Sequence, residues 1–268
     1  MKKIIFVLVM GVITLGLNLA FAEDEIPEAL IAKVDTVMFQ VNKPRELFRL
    51  FNDTFQLPVA WEYSDFDGYS SGGVKCGNVN LESLSLGSVP SSVNGMTGIA
   101  FEPGVENKRL LKVLDKRGIE YIQHDLGALY STELLNILPG TMVHLVEYKS
   151  YAALFMKNGP LPENPAGIEY AQELIIGVND FAGSRKNWQA MLNPISEISP
   201  GQWQPERGPK IHLIQSESNG ILALKLKVKS LAQTEKFLKE AGLFGRKESG
   251  SVKTDPEKTL GVIFEFVG

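Results

Sequence analysis

The sequence predicts an α+β protein made of four repeated strand–helix–strand units, and three observations support this prediction. Segments with β-type apolar spacing alternate with segments whose apolar residues recur at helical spacing. The order strand, helix, strands occurs about four times, at a spacing of roughly 50 to 65 residues, which indicates an internal repeat. Glycine and proline mark the breaks between the elements.

The first two units occupy the N-terminal half of the chain. A β-type run at 34–41 is broken by Asn42-Lys43-Pro44, and the next segment carries Leu47, Phe48, Phe51 and Phe55 on one helical face. The motif starts again at Gly98. The predicted elements are strands at 34–41, 59–63, 74–76, 79–86, 98–101, 119–122 and 141–148, and helices at 45–55 and 105–117.

The last two units follow a stretch rich in proline and glycine at 151–168, which is the predicted domain boundary. The helix over 230–241 is stopped by Gly242. The predicted elements here are strands at 173–178, 210–215, 221–228 and 262–267, and helices at 181–192 and 230–241. We therefore expect one domain over 33–150 and a second over 168–268.

Each helix can cover only one face of its small sheet. Two βαβββ units that pair would form a curved mixed sheet with a cavity on its concave side, so tandem pairs predict two such sheets. Function would then depend on the polar residues that face the cavities.

Residues 1–22 have the features of a secretory signal peptide. Lys2 and Lys3 precede an uncharged apolar stretch at 4–19, and Ala20 and Ala22 supply small residues at the cleavage site. The alternative is an uncleaved anchor, because this stretch is about long enough to span a bilayer. No later segment is apolar enough to span a membrane. We expect export to the periplasm or the exterior.

The charge and the cysteine content argue against nucleic-acid binding and against an internal disulfide. The formal net charge is −4, and cleavage would remove Lys2 and Lys3 and leave −6. Without a basic cluster, nucleic acid is a poor candidate ligand, because phosphate neutralisation dominates such binding. Cys76 is the single cysteine, so no internal disulfide can form, and we expect a buried structural thiol.

Two short motifs match known patterns without their required context. Gly68-Tyr-Ser-Ser-Gly72 matches G-x-S-x-G, but a strand follows it where a nucleophile elbow needs a helix. Asp65-Phe-Asp67-Gly68 has no glutamate where a calcium loop requires one. Neither a hydrolase nor an EF-hand is predicted.

The order of the segments resembles the vicinal oxygen chelate superfamily, which includes glyoxalase I, bleomycin-resistance proteins and extradiol dioxygenases. The resemblance covers nearly the whole chain after residue 33, as two domains of two units each. It is carried by 34–41, 77–84, 98–101 followed by 110–114, 139–147, and, more weakly, 172–180, 209–216, 220–242 and 261–266.

This resemblance implies a divalent metal held by residues on the first, fourth, fifth and last strands of a domain. The first domain offers Thr36, Glu82, Gly98 and His144 at these places, of which Glu82 and His144 can bind a metal. The second offers Glu173, His212, Ala223 and Glu265. Histidine and carboxylate donors suit Fe, Mn, Ni or Zn, so Glu173, His212 and Glu265 form the leading candidate site.

The aromatic residues outside the predicted helices are candidate ligand contacts. Trp61, Tyr63, Tyr69 and Trp203 lie in strands or loops near the expected concave side, where they could stack on a ligand or pack as ordinary core.

His212 and Glu265 interrupt apolar strands and must face water, a cavity or a partner.

Three functions follow from these observations. The preferred hypothesis is an exported protein that binds a small molecule in a concave cavity without turnover, because the first domain lacks two of the four metal ligands that the resemblance implies. The alternative is a metal-dependent lyase or dioxygenase that uses Glu173, His212 and Glu265. A pure interaction partner in an envelope complex is the third, and the sequence leaves it open. The sequence does not indicate the oligomeric state.

Overall fold

A computed structural model describes residues 28–87, 95–149 and 159–268. The predicted signal peptide lies outside these ranges, as do residues 88–94 of the predicted loop and 150–158 at the domain boundary. The described strands form two mixed sheets of eight strands each, which confirms the predicted α+β class with two paired-unit sheets.

The first sheet contains the strands of the first two units. Its strands are β1 (Ile31–Gln40), β2 (Val59–Phe66), β3 (Tyr69–Cys76), β4 (Val79–Leu86), β5 (Gly95–Pro103), β6 (Tyr121–Asp125), β7 (Leu129–Leu134) and β8 (Met142–Tyr148). Their order across the sheet is β2-β3-β4-β1-β5-β8-β7-β6. Within each unit the first and last strands are parallel, whereas β1 and β5 join the two units in antiparallel fashion.

The second sheet repeats this topology. Its strands are β9 (Ile168–Val178), β10 (Glu197–Ser199), β11 (Gln202–Trp203), β12 (Lys210–Gln215), β13 (Gly220–Val228), β14 (Phe244–Glu248), β15 (Ser251–Thr254) and β16 (Phe264–Val267). Their order is β10-β11-β12-β9-β13-β16-β15-β14. The antiparallel pair β9–β13 joins the third and fourth units as β1–β5 joins the first and second.

Each unit contributes one helix after its first strand. The helices are α1 (Pro44–Arg49), continued by a π-helical turn at Leu50–Thr54, α2 (Asn107–Arg117), α3 (Phe181–Leu192) and α4 (Leu231–Glu240). The side chains of Asp180 and Ser230 cap α3 and α4 by accepting backbone N–H groups. Gly118 ends α2 in the left-handed conformation.

Several strands differ from the sequence prediction. The polar segment 64–73 is a hairpin between β2 and β3 and not a long turn. Strands β7, β10, β11, β14 and β15 were not predicted, because segments such as Phe-Gly-Arg-Lys-Glu at β14 carry too little apolar alternation. They form because neighbouring strands supply the hydrogen-bond partners.

An apolar core continues from one sheet to the other. Phe264 of β16 lies 5.6 Å from Phe51 and 5.8 Å from Phe39 between ring centroids. Phe101 of β5 contacts Trp188 of α3 at 6.3 Å. The helices and this core cover one face of each sheet, and we call the opposite face of each sheet its concave face.

Polar contacts also join the two sheets. The side chain of Asn78, in the β3–β4 turn, donates to the backbone oxygen of Ala171 and accepts from its N–H at 2.9 and 3.0 Å. Arg117, at the end of α2, donates to the last carbonyl groups of α3. Of the described helices, none has the length and apolar character needed to cross a membrane.

Candidate functional site

The concave face of the first sheet carries a buried cluster of ionisable groups. The Asp35 carboxylate is fully buried and accepts a hydrogen bond from the Tyr148 hydroxyl at 2.7 Å. Lys33 bridges Asp35 at 3.1 Å and Glu102 at 2.8 Å. Burial would lower the pKa of Lys33, but these two carboxylates outweigh burial and raise it. The Lys33 ammonium group therefore stays charged on this face.

Glu82 lies on the same face and has no cationic partner among the described residues. The Ser71 hydroxyl donates to its Oε1 at 2.5 Å, and the Trp61 indole N–H donates to Ser71 at 3.0 Å. Burial raises the pKa of Glu82 to about 7, which the Ser71 hydrogen bond partly offsets and the charge of Asp35 reinforces. Glu82 therefore changes its protonation state near neutral pH.

His144 is separated from Glu82 by other strands. Its Nδ1 lies 3.1 Å from the Ser131 hydroxyl, and the residue opposite it on the neighbouring strand β7 is Glu133. Burial lowers the pKa of His144. Because β1 and β5 lie between β4 and β8, Glu82 and His144 are not brought together as a ligand pair.

Methionine side chains fill the predicted fifth-strand ligand position in the first sheet. A Cβ added at Gly98 would lie 2.7 Å from the sulfur of Met38 and 3.3 Å from Met142. A metal-binding side chain at Gly98 would therefore need both methionines to move. Thioethers are soft ligands, whereas the site that the resemblance implies uses imidazole and carboxylate donors.

One buried side chain on this face lacks partners. Asn80 is fully buried, and within the described ranges neither its amide oxygen nor its amide nitrogen has a hydrogen-bond partner. It pairs with Thr36 of β1 across the sheet. Because such groups are normally satisfied, this end of the face suits a water molecule or another small polar group.

On the concave face of the second sheet, Glu173 is surrounded by cations. Its Oε1 lies 2.7 Å from Lys210 Nζ and 3.2 Å from His212 Nδ1, and its Oε2 lies 2.8 Å from Lys225 Nζ. Burial alone would raise the pKa of Glu173, but the two ammonium groups outweigh burial and lower it to about 2. Glu173 is thus ionised, and each of its carboxylate oxygens contacts an ammonium group.

The strand register places a lysine where the resemblance implies a metal. Lys225 of β13 pairs with Glu173 of β9 on one side and with Glu265 of β16 on the other. The predicted fifth-strand residue, Ala223, lies two residues before Lys225 and is opposite Ile175 of β9. The five residues that pair across adjacent strands form what we call the charge row: Lys210, Glu173, Lys225, Glu265 and Lys253.

Of the predicted metal ligands in the second sheet, only two are in contact. Glu173 touches His212, whereas the Glu265 carboxylate faces Lys253 at 3.6 Å. Strands β9 and β13 lie between β12 and β16, so His212 and Glu265 are three strand spacings apart, about 14 Å along the sheet.

The residues present do not fit a divalent metal on either concave face. In the described parts of the chain, no three His, Cys, Asp or Glu side chains group together in a way that could hold a metal. A metal at Glu173 would have to displace two ammonium groups that already neutralise the carboxylate.

The four predicted aromatic contacts lie in different environments. Trp61 is on the concave face and covers Gly73, where an added Cβ would lie 2.4 Å from its ring. Tyr69 is exposed at the β2–β3 hairpin tip and stacks on Phe66 at 4.6 Å. Tyr63 and Trp203 face the helices instead: Tyr63 packs on Phe48, and Trp203 is fully buried and donates to Gln189 of α3. For these two residues the predicted concave position is wrong. An irregularity in β2 between Trp61 and Ser64 turns Tyr63 to the core, and strand alternation does so for Trp203, which lies opposite the buried Ile211.

A cavity lies at the junction of the two sheets. It has a volume of about 990 Å³, and we call it the junction cavity. Its walls carry apolar and aromatic side chains together with a near balance of charges. The lining includes Lys33, Glu102, Tyr148, Leu161, Ile168, Glu169, Tyr170, Glu206, Arg207 and Lys229.

Sequence reasoning missed this cavity. Its wall combines the ends of β1, β5 and β8 with the start of β9 and the loop 206–208, and these segments are far apart in the chain. The single available signal was the pair Lys33 and Asp35 in an otherwise apolar strand. A buried charge there needs partners, and Tyr148 and Glu102 supply them.

Comparison with solved structures supports the fold. The chain is similar to the 2,3-dioxygenase LapB from Pseudomonas sp. KL28, with a TM-score of 0.61, 12% identity, and coverage of 90% of this chain and 93% of that chain. It is also similar to BphC, a halotolerant catechol dioxygenase, with a TM-score of 0.56, 12% identity, and coverage of 89% and 88%.

A third similar structure is the Mn(II)-bound glyoxalase from Novosphingobium aromaticivorans, with a TM-score of 0.57, 10% identity, and coverage of 89% of this chain and 82% of that chain. No protein-family model matches the sequence, and no curated protein matches it. At these identities the likeness concerns the fold alone, and it is the two-domain fold that the sequence resemblance implies.

Proposed function

We propose that this protein binds a small molecule in the junction cavity and does so without metal-dependent turnover. The junction cavity itself is the observation that carries the proposal. Its volume of about 990 Å³ lies at the upper end of the usual range for small-molecule sites, and such sites often form at domain interfaces.

The walls of the cavity suit a partly apolar ligand. Leu161, Ile168 and the rings of Tyr148 and Tyr170 offer apolar contact, and Tyr170 is 40% exposed. Lys33 and Glu102 form an ion pair with each other, so they are a fixed polar part of the cavity wall. A few fixed polar groups in an apolar wall are typical of sites that orient a small ligand.

The metal-dependent alternative has less support. The glyoxalase of similar fold is Mn(II)-bound. In this protein Met38 and Met142 contact the predicted ligand position Gly98 in the first sheet, and Lys225 lies against Glu173 in the second. We therefore expect no stoichiometric Fe, Mn, Ni or Zn in protein purified without chelators, as measured by elemental mass spectrometry. A bound metal that is lost in His212→Ala would contradict this expectation.

The proposal places the binding protein outside the cytoplasm, because residues 1–22 have the pattern of a secretory signal. Cell fractionation and N-terminal sequencing of the native protein test this part. A mature chain that begins at Glu23 in the exported fraction would support export. An intact Met1 in the cytoplasm would contradict it.

Blocking the cavity tests the binding function. Gly159 lines the cavity, and a Cβ added there would meet no atom within 4 Å. Gly159→Trp should therefore fill open space without disturbing the core. Gly95→Trp is the matched control, because a Cβ at Gly95 also meets nothing within 4 Å but Gly95 does not line the cavity.

The measurement is a small-molecule screen by ligand-observed NMR, in the presence of a metal chelator. Hits that bind the wild type and Gly95→Trp but not Gly159→Trp would support the proposal. Hits that bind all three equally, or that require metal, would contradict it.

A further inference from the structure

Three lysines alternate with apolar residues at the end of β13. The segment 224–229 reads Leu-Lys-Leu-Lys-Val-Lys, and Leu224, Leu226 and Val228 are buried in the core. Because side chains alternate along a strand, Lys225 and Lys227 lie on the concave face. Lys229 follows directly and lines the junction cavity.

The concave face of the second sheet has more cations than carboxylates. Within the described part of this face, the cations are Lys210, Lys225, Lys227, Arg246 and Lys253, and the carboxylates are Glu173, Glu248 and Glu265. The whole chain has a formal net charge of −4. This face is therefore positive on an acidic protein.

The carboxylates of this face are already occupied. Glu173 pairs with Lys210 and Lys225, and Glu248 pairs with Arg246 at 2.7 Å and with Lys253 at 2.8 Å. Glu265 lies 3.6 Å from Lys253. Lys227 has no ion pair with any described residue and is only partly exposed. Its ammonium group is the cation of this face that remains available to a ligand.

Lys227 lies beside the junction cavity. It pairs across the sheet with Tyr170, whose ring lines the cavity wall together with Lys229. The cavity lining is otherwise balanced, because Lys33, Arg207 and Lys229 face Glu102, Glu169 and Glu206. Lys227 is not itself a lining residue, so it adds a positive charge next to the part of the wall that Tyr170 and Lys229 form.

We propose that the ligand of the junction cavity is an amphipathic organic anion. Its apolar part lies against Tyr170 and Leu161, and its acidic group accepts hydrogen bonds from Lys227 and Lys229. This inference rests on the proposed function, since it names the class of ligand for the same cavity. A carboxylate and a phosphate monoester both meet the requirement, because either can accept charge-assisted hydrogen bonds from two ammonium groups.

The test uses three probes with one phenyl ring and different head groups: benzoate, phenyl phosphate and neutral benzamide. Titration calorimetry at low ionic strength would measure their affinities for the wild type, Lys227→Gln and Lys236→Gln. Lys236 is the matched control, because it is an exposed lysine on α4, far from the concave face. Circular dichroism would verify that each variant is folded.

We expect at least one anion to bind about tenfold more tightly than benzamide. This is the gain in affinity expected from one hydrogen bond to a charged group. Lys227→Gln should remove this preference, and Lys236→Gln should keep it. The tighter of benzoate and phenyl phosphate identifies the acidic group.

Two results would overturn the inference while leaving the binding function intact. In the first, benzamide binds as tightly as both anions and is blocked by Gly159→Trp. In the second, Lys227→Gln keeps the full anion preference. Binding of all three probes that persists in Gly159→Trp would instead contradict the proposed function itself. Failure of both anions to bind at millimolar concentration would also overturn the anion assignment.

Discussion

On the concave face of the first sheet, Glu82 meets a serine hydroxyl, whereas on the concave face of the second sheet Glu173 meets two ammonium groups. Glu82 lies on β4, beside the central strand β1 of the first sheet, and Glu173 lies on β9, a central strand of the second sheet. The pKa of Glu82 is raised to about 7 and that of Glu173 is lowered to about 2. The same fold thus raises the pKa of one carboxyl group and lowers the pKa of the other.

The groups on the neighbouring strands determine the opposite directions of the two pKa shifts. Burial raises the pKa of both groups. Across from Glu82, the paired residues are Met38 and Gly73, which carry no charge. Across from Glu173, they are Lys210 and Lys225. Register therefore decides which face can hold an ionised carboxylate.

On both faces other side chains occupy the positions where the sequence resemblance implies a metal, and they do so with different chemistry. The first uses the thioethers of Met38 and Met142 above Gly98, and the second uses the ammonium group of Lys225 between two glutamates. A cationic side chain can neutralise carboxylates that would otherwise need a metal. The second face is therefore stabilised by its own charges.

The largest effect should come from removing the centre of the charge row. Glu173→Ala leaves the ammonium groups of Lys210 and Lys225 facing each other without a counter-charge. We expect the free energy of unfolding to fall by about 3 kcal/mol, as for other broken, partly buried ion pairs. Urea denaturation at neutral pH measures this change.

Two further variants separate the charge of Glu173 from its packing. Glu173→Gln keeps the side-chain size and should lose most of the same free energy. Glu240→Ala breaks an exposed pair with Lys236, 3.8 Å apart, and should change stability by less than about 0.5 kcal/mol. A Glu173→Gln variant as stable as the wild type would show that the row does not act through charge.

A smaller effect of opposite sign is expected at Glu82. Its pKa is raised from 4.5 to about 7, so between these pH values the native state keeps a proton that the unfolded state releases. Stability therefore falls as pH rises through this window. Glu82→Gln removes the titration and should be more stable than the wild type by about 2 kcal/mol at pH 8, with little difference at pH 4.

The pH dependence of unfolding in urea checks this prediction, with Glu240→Gln as the control that should show no such crossover. If Glu82→Gln loses stability at both pH values by the same amount, Glu82 acts through its hydrogen bond to Ser71 and not through its charge. The contrast between the two faces would then be one of hydrogen bonding alone.

The sequence predicted the fold well because local patterns determine it. Helix α3 was predicted at its observed bounds, since Asp180 caps it and its apolar residues keep a helical period. Strand β12 was also predicted at its bounds. Strand β14 was missed because its residues are mainly charged and form a strand only by pairing with β15.

The sequence predicted the site less well, because the site depends on which residues lie opposite each other on different strands. Glu173 and His212 were singled out and do touch, but Lys225 was overlooked since only the register places it between Glu173 and Glu265. A shift of one residue turns a side chain to the other face, which is why Tyr63 and Trp203 were misplaced. No local pattern encodes the junction cavity.

The smallest expected effect makes the second face partly resemble the first. Lys225→Met replaces the central ammonium group by a thioether and leaves Lys210 as the only lysine bound to Glu173. We expect the pKa of Glu173 to rise from about 2 by about one unit, equivalent to about 1.4 kcal/mol. The ¹³C shift of its carboxyl carbon, followed during an acid titration, measures this change.

Lys253→Met is the matched control, because Lys253 contacts Glu248 and Glu265 but not Glu173. It should leave the pKa of Glu173 unchanged. If Lys225→Met also leaves it unchanged, Lys210 alone determines the protonation of Glu173. The lysine between the two glutamates would then be a neighbour of the carboxylate and not the group that replaces a metal. If the pKa rises as expected, a single residue on the fifth strand of the sheet accounts for much of the electrostatic difference between the two faces.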